Sequence, residues 1–287
     1  MRRISVCPVV GMMFALLAPT LVVAQQQPAK TMSGPPKVLQ IVREEVKPGK
    51  GPAHQKHEAA WSQAFTKAGY PHNLTISSVT GPSEDWFITG FGSFAEWEKL
   101  NKRMDEPAFS NVMETFMPKE SEYVSETRMI TARYRPELSY RPDFKLGEYR
   151  YFSVALVRYK LGHSPDEVGK ILAAAREKGN VDAHIVAYQV TSGAPVGSYL
   201  YFTALKNLDA WDQPPNQAYL DALKEGKFDE AVERSIQNVE FRLFGFNPRL
   251  SYVSEEVASA DPAFWHPKAP ASKTAAPAKA APPKKEN

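Results

Sequence analysis

The sequence predicts an α+β chain of two tandem βαββαβ units, packed sheet to sheet so that one chain supplies both halves of a barrel. Three observations carry that prediction. Pro136-Glu137-Leu138-Ser139-Tyr140 recurs as Pro248-Arg249-Leu250-Ser251-Tyr252, 112 residues further on. Lys47-Pro48-Gly49 is answered by Lys160-Leu161-Gly162, Val79-Thr80 by Val190-Thr191, and Phe94-Ala95-Glu96-Trp97 by Leu208-Asp209-Ala210-Trp211, in the same order and at offsets of 111 to 114. Within each half, the apolar spacing reads strand, helix, strand, strand, helix, strand.

In the first unit, Val38 to Val46 is an apolar-rich strand ended by Pro48-Gly49. A helix follows from Pro52 to Ala68, with Trp61, Ala64, Phe65 and Ala68 at helical spacing and Gly69 as its stop. Leu74 to Thr80 and Trp86 to Phe91 form a hairpin around Gly81-Pro82-Ser83. Phe94, Trp97, Leu100 and Met104 mark a second helix, Phe109 to Phe116 a further helical stretch, and Thr127 to Tyr134 the last strand.

The second unit repeats the order. Tyr149 to Tyr159 is its first strand, and Ser164-Pro165 with Glu167 has the form of a capping box. Val168, Ile171, Leu172 and Ala175 then stripe one helix face up to Gly179. Ile185 to Val190 and Tyr199 to Thr203 pair across Gly193-Ala194-Pro195. Helical segments at 208–211, 218–223 and 228–236 precede a closing strand from Val239 to Phe246. The units span 37–140 and 148–252, joined by a linker from Tyr140 to Gly147.

Each unit is therefore a ferredoxin-like, four-stranded antiparallel sheet with helices on one face. Apolar residues on both sides of several strands mean that the second face has to be covered too. At about 25 cal/mol per Å², a few hundred Å² is worth several kcal/mol. The Lys47-Pro48-Gly49-Lys50 turn ahead of an aromatic-bearing helix, with the Trp86-to-Phe91 strand leading into Phe94-Ala95-Glu96-Trp97, resembles the dimeric α/β-barrel superfamily. That superfamily includes antibiotic-biosynthesis-type monooxygenases, NIPSNAP-like proteins, haem-degrading monooxygenases and chlorite dismutases. The resemblance spans Lys37 to Tyr252 and implies a fold, with the pseudo-dimer made inside one chain. It also implies ligands held between sheet and helices.

The ends lie outside this frame. Arg2-Arg3, the apolar run Val9 to Val23 and Val22-Val23-Ala24 before Gln25 predict a signal peptide over 1–24. The expected location is periplasmic or secreted, with no transmembrane segment after removal. Residues 25–36 read as a flexible lead-in, and the Ala/Pro/Lys tail over 267–287 as disordered. Arg2 and Arg3 contribute +2 to the net charge of +3, and the tail from Lys268 contributes +4, leaving the folded part at −3. An acidic body gives no surface for nucleic acid. Cys7 is the only cysteine, so the mature chain has no disulfide, thiolate ligand or cysteine nucleophile.

The residues expected to line a ligand site are His57, Trp61, Trp86 and Trp97 in the first unit and His184, Tyr199, Tyr201 and Trp211 in the second. His57 sits four residues before Trp61 on one helix face and is the one candidate for a catalytic base. His54 and His57 with Glu58 have a spacing that could share a metal. Only His72 offers itself as a further ligand, so no metal is expected. No cofactor is expected either, because neither second-helix region carries the histidine that haem-binding members place there. For the adjacent carboxylates Glu44-Glu45, Glu84-Asp85 and Asp229-Glu230, strand neighbours point to opposite faces and turn pairs are hydrated, so paired-acid catalysis is not expected. No phosphate loop or Gly-x-Ser-x-Gly elbow occurs. Two functions stay open: an envelope protein that binds a small apolar or aromatic ligand or acts structurally, and a cofactor-independent monooxygenase acting on an aromatic compound.

Overall fold

The computed structural model describes residues 34–267. The signal peptide, most of the lead-in and the tail from Lys268 lie outside the described residues. The first lobe runs β1 (Val38–Val46), α1 (Gly51–Lys67), β2 (Asn73–Ser78), β3 (Glu84–Phe91), α2 (Phe94–Arg103), α3 (Pro107–Glu120) and β4 (Val124–Tyr134). The second runs β5 (Tyr151–Tyr159), α4 (Asp166–Lys178), β6 (His184–Ser192), β7 (Ser198–Leu205), α5 (Gln217–Glu225), α6 (Phe228–Ser235) and β8 (Ile236–Phe246). Eight strands close a barrel in the order β1-β3-β2-β8-β5-β7-β6-β4, every neighbouring pair antiparallel.

The halves do more than cover one another: they share hydrogen-bonded seams. β2 pairs with β8 through Ile76↔Phe246 and Ser78↔Phe244, and β4 with β6 through Ala132↔Val190 and Tyr134↔Tyr188. The repeated Pro-x-Leu-Ser-Tyr segments reinforce these seams reciprocally. Tyr140 bridges to Ile185 in the second lobe and Tyr252 to Asn73 in the first. Ser139 Oγ accepts from the Ala187 amide at 3.0 Å, and Ser251 Oγ from the Thr75 amide at 2.9 Å. Closure removes the free sheet edges that two separate units would expose.

Strand alternation divides the side chains into two sets. Ile41, Ile76, Trp86, Ile130, Val154, Leu200 and Phe244 fill the barrel interior, while the outward set packs under the helices. One barrel end is closed by Arg43, Glu84 and Arg242: Glu84 accepts from Arg43 at 3.0 Å and from Trp86 Nε1 at 2.7 Å, and Arg242 reaches it at 2.7 Å. The other end is stoppered by a feature the sequence reading stopped short of at residue 252. Two short helices, α7 (Glu255–Ala258) and α8 (Pro262–Trp265), bring Trp265 against Phe246, with its Nε1 donating to Gly147 O at 3.1 Å.

Local corrections are few. α4 begins at Asp166 and not inside a Ser164 capping box, because Ser164 Oγ accepts from the nearer Asp166 amide. The expected helix at 208–211 is a single 3₁₀ turn, Asp209–Trp211. Glu84 and Asp85, read as a hydrated turn, are both buried, since β3 begins at Glu84 under the helices and the barrel end.

Candidate metal centre

The site lies in the first lobe, between the outer face of β1 and β3 and the helices α1 and α3. Glu44 follows Arg43 on β1, so the two point to opposite sides: Arg43 into the barrel, Glu44 outward. The same alternation on β3 sends Glu84 inward and Asp85 outward, and Glu44 and Asp85 are direct cross-strand partners. The turn at Lys47–Lys50, with Gly49 at φ +77°, folds α1 back over that face, and Pro52 starts the helix. His54, His57 and Glu58, at i, i+3 and i+4, then share the side of α1 turned to the sheet. Glu120 arrives as the last residue of α3, whose end is pinned by Lys47 Nζ donating to Ser121 O at 2.6 Å.

His54 is the centre of this group and is fully buried. Its Nε2 lies 3.0 Å from Glu44 Oε2 and 3.7 Å from Glu120 Oε1, and its Nδ1 lies 3.1 Å from Asp85 Oδ2. Asp85 is itself held by a hydrogen bond from Ser77 Oγ. His57 Nε2 stands 3.3 Å from Glu120 Oε2. Glu44, His54, Glu58 and Glu120, all buried, each offer a ligand atom, and those four atoms lie within 4.8 Å of one another. Among the described residues, Glu58 Oε1, both Glu120 oxygens, His54 Nδ1 and His57 Nε2 are buried without a well-aligned hydrogen bond.

These groups perturb one another strongly. Burial disfavours the His54 imidazolium, but hydrogen bonds to Asp85 and Glu44 and the nearby carboxylate charge outweigh it and raise the pKa to about 10. Burial, then the charges of Glu44 and Glu120, push the Glu58 carboxyl up to about 10. Glu120 moves up as well, from burial and the charge of Glu44. Four buried carboxylates and two imidazoles at this separation are costly, and leaving their lone pairs unpaired adds to the cost.

The second lobe shows that the fold does not need them. The β-bulges at Glu45/Val46 and Arg158/Tyr159 put Val46 level with Tyr159, and hence Glu44 level with Val157. Cross-strand pairing makes Tyr199 the counterpart of Asp85. Lys160 Nζ donates to Glu233 O as Lys47 Nζ does to Ser121 O, which sets Val232 in the place of Glu120. Over the same face, α4 lays Val168, Ile171 and Leu172. Where the first lobe has acids and histidines, the second has an ordinary apolar core.

The eight residues expected to line a ligand site do not converge. His57 and Trp61 pack together with Phe116 and Tyr123 beside the centre. Trp86, expected near them, projects to the other side of the sheet, against Phe244 and Arg43 in the barrel. Trp97 packs in a separate small cluster with Val38, Phe91 and Leu100. His184 Nδ1 donates to Arg141 O at 2.7 Å, with the ring between Phe144 and Tyr149. Tyr199 and Tyr201 belong to the apolar core of the second lobe, and Trp211 is 55 % exposed. His72, the one extra ligand the sequence offered, packs tilted against Tyr252, away from the centre. The residues missed were Glu44, Asp85 and Glu120: Glu44 and Asp85 are buried because helices cover the outward face of β1 and β3, and Glu120 was not singled out at all. Their signal is in the sequence, as acids at positions where the second unit carries Val157 and Val232.

The fold is a closed eight-stranded antiparallel barrel built from two ferredoxin-like halves within one chain. No protein-family model matches the chain, and no curated protein does. Among solved structures, it is similar to a presumed monooxygenase from Fusobacterium nucleatum, at 10 % identity and TM-score 0.45 over 75 % of this chain and 94 % of that one. An anthrone oxidase-like protein matches at 11 % identity and TM-score 0.45, over 74 % and 92 % of the two chains. A mutant chlorite dismutase from Candidatus Nitrospira defluvii matches at 8 % identity and TM-score 0.47, over 78 % and 95 %. Among the described residues, no helix is long and apolar enough to cross a membrane.

Proposed function

We propose that the protein is an exported metal-binding barrel, in which the first lobe holds a first-row divalent cation and the second is its framework. The observation that carries this reading is the exchange between lobes: Glu44 and Glu120 stand where the second lobe has Val157 and Val232. Buried ionisable groups usually cost stability relative to apolar residues of similar size, so a cluster kept in one lobe alone points to a task other than folding. Export rests on the basic, apolar and small-residue pattern of residues 1–24.

The donors fit a particular class of ion. Three carboxylates and one imidazole, with no sulfur, suit manganese, iron(II) or zinc better than a thiophilic ion. Asp85 on Nδ1 is the partner that would fix the His54 tautomer and aim Nε2 at the ion. Burial of all four donors favours a tightly held ion whose binding contributes to the stability of the lobe. The test is a comparison by dialysis and elemental analysis. Chelator-stripped mature chain should take up manganese or zinc, while the Glu44→Val, Glu58→Leu, Glu120→Val chain, given residues of the kind found in the second lobe, should not. Equal uptake by both would sink the reading.

A second reading is an oxygenase without cofactor, with His57 as base on an aromatic compound. The aromatic wall of Trp61, Phe116 and Tyr123 around His57 favours it. His57→Ala would then abolish turnover while leaving metal content unchanged at the Glu44–His54 end.

A further inference from the structure

We propose that the centre is dinuclear, with Glu120 bridging one ion on His54 and a second on His57. The inference rests on the one-ion reading above and extends it to a second position. Its basis is how Glu120 is presented. One oxygen faces each histidine: Oε1 is 3.7 Å from His54 Nε2, and Oε2 is 3.3 Å from His57 Nε2. With Glu58 and Glu120 both ionised, neither oxygen meets a donor among the described residues, and His57 Nε2, on a side chain 8 % exposed, has no hydrogen-bond partner there either.

The separations are those of ligands on a common ion. Two donors about 2.1 Å from one ion, at roughly 90–110° to each other, lie about 3.0–3.4 Å apart. The His57–Glu120 pair meets that as it stands, and the His54–Glu120 pair needs a few tenths of an ångström. A carboxylate shared in this way spans ions about 3.5–4 Å apart, the spacing of two-metal sites. His57 has little other use for its Nε2. Its ring is enclosed by Trp61, Phe116 and Tyr123, and among the described residues Glu120 is the one acid within ion-pair range.

Glu58, with Oε1 unpartnered among the described residues, belongs with the donors of the first ion.

The experiment is a manganese titration of the chelator-stripped mature chain, counted by elemental analysis after desalting and read in parallel by electron paramagnetic resonance. Wild type should retain about two ions per chain, with the broadened spectrum of a coupled pair. His57→Ala should retain about one, with the spectrum of an isolated ion. His57→Phe, which fills the same aromatic enclosure, repeats the count if the alanine chain does not fold. One isolated ion per wild-type chain overturns the dinuclear proposal and leaves the one-ion reading standing. No retained ion overturns both. Two ions in the His57 variants remove His57 from the site and overturn the proposal.

Discussion

Replacing Glu58 by leucine should make the metal-free protein more stable and the metal-loaded protein less so. At pH 7 the folded chain keeps a proton on Glu58, whose pKa is raised from 4.5 to about 10 by burial and by Glu44 and Glu120. The unfolded chain has lost that proton. At about 1.4 kcal/mol per pH unit, holding it costs the fold roughly 3 kcal/mol at pH 7. Leucine removes that cost and adds apolar contact, against some strain from its branched shape. A net gain of about 1–3 kcal/mol, or a Tm rise of about 3–10 °C in chelator, follows for a chain of this size. The sign depends on pH in a defined way. A raised carboxyl costs nothing below 4.5, where the unfolded chain is protonated too, and more with each unit up to about 10, so the advantage of leucine should grow from pH 4.5 to pH 9. With manganese at a hundred times its Kd, wild type should gain about 2.7 kcal/mol, and the variant much less. Thermal unfolding of both chains, in chelator and in manganese, measures all of this. A Glu58→Leu chain less stable than wild type in chelator at pH 7 by more than about 1 kcal/mol would refute the reasoning, because it would make the cluster a structural asset.

Three further outcomes are expected. Asp85→Asn should keep the fold but lower metal affinity about 10–100-fold, since His54 loses the carboxylate that orients Nδ1; isothermal titration would show it. Glu84→Gln breaks the buried contact with Arg43 and Arg242 and should cost about 3–5 kcal/mol at neutral pH by urea unfolding. Burial works against the Glu84 carboxylate, but Trp86, Arg242 and Arg43 hold its pKa below 4.5. Its contribution is therefore present above pH 4.5 and lost as pH falls through the folded value, so wild type should lose stability more steeply than the variant below pH 4.5. Trp265→Ala unstoppers the barrel and should cost about 3–5 kcal/mol, with metal uptake unchanged because the centre lies outside the barrel wall.

The fold was legible because it rests on periodicity and turns. The apolar-rich run Val38 to Val46, ended by Pro48-Gly49, and the 3.6-residue stripe of Val168, Ile171, Leu172 and Ala175 are local signals, and both became the elements they predict. Joined seams were less legible, since pairing of β2 with β8 depends on residues about 170 apart. The stopper at Trp265 was missed because four-residue helices leave no period to read. At the site, His54, His57 and Glu58 announced themselves by helical spacing. Glu44 did not: alternation correctly turns it away from Arg43, but only the tertiary fold shows that this outer face is covered by α1. Glu120 lies 66 residues along the chain from His54. Its one trace in the sequence is that the second unit carries Val232 at the matching position.

The central claim is that the first-lobe cluster is built around metal. Diffraction from crystals of the mature chain soaked in manganese, recorded for the anomalous signal of that ion, tests it directly. The predicted result is a peak under α1 about 2.0–2.3 Å from donor atoms of Glu44, His54, Glu58 and Glu120, with Asp85 remaining on His54 Nδ1. A map with no peak there, and His54 Nε2 still paired to Glu44 at the distance of a hydrogen bond, would contradict it.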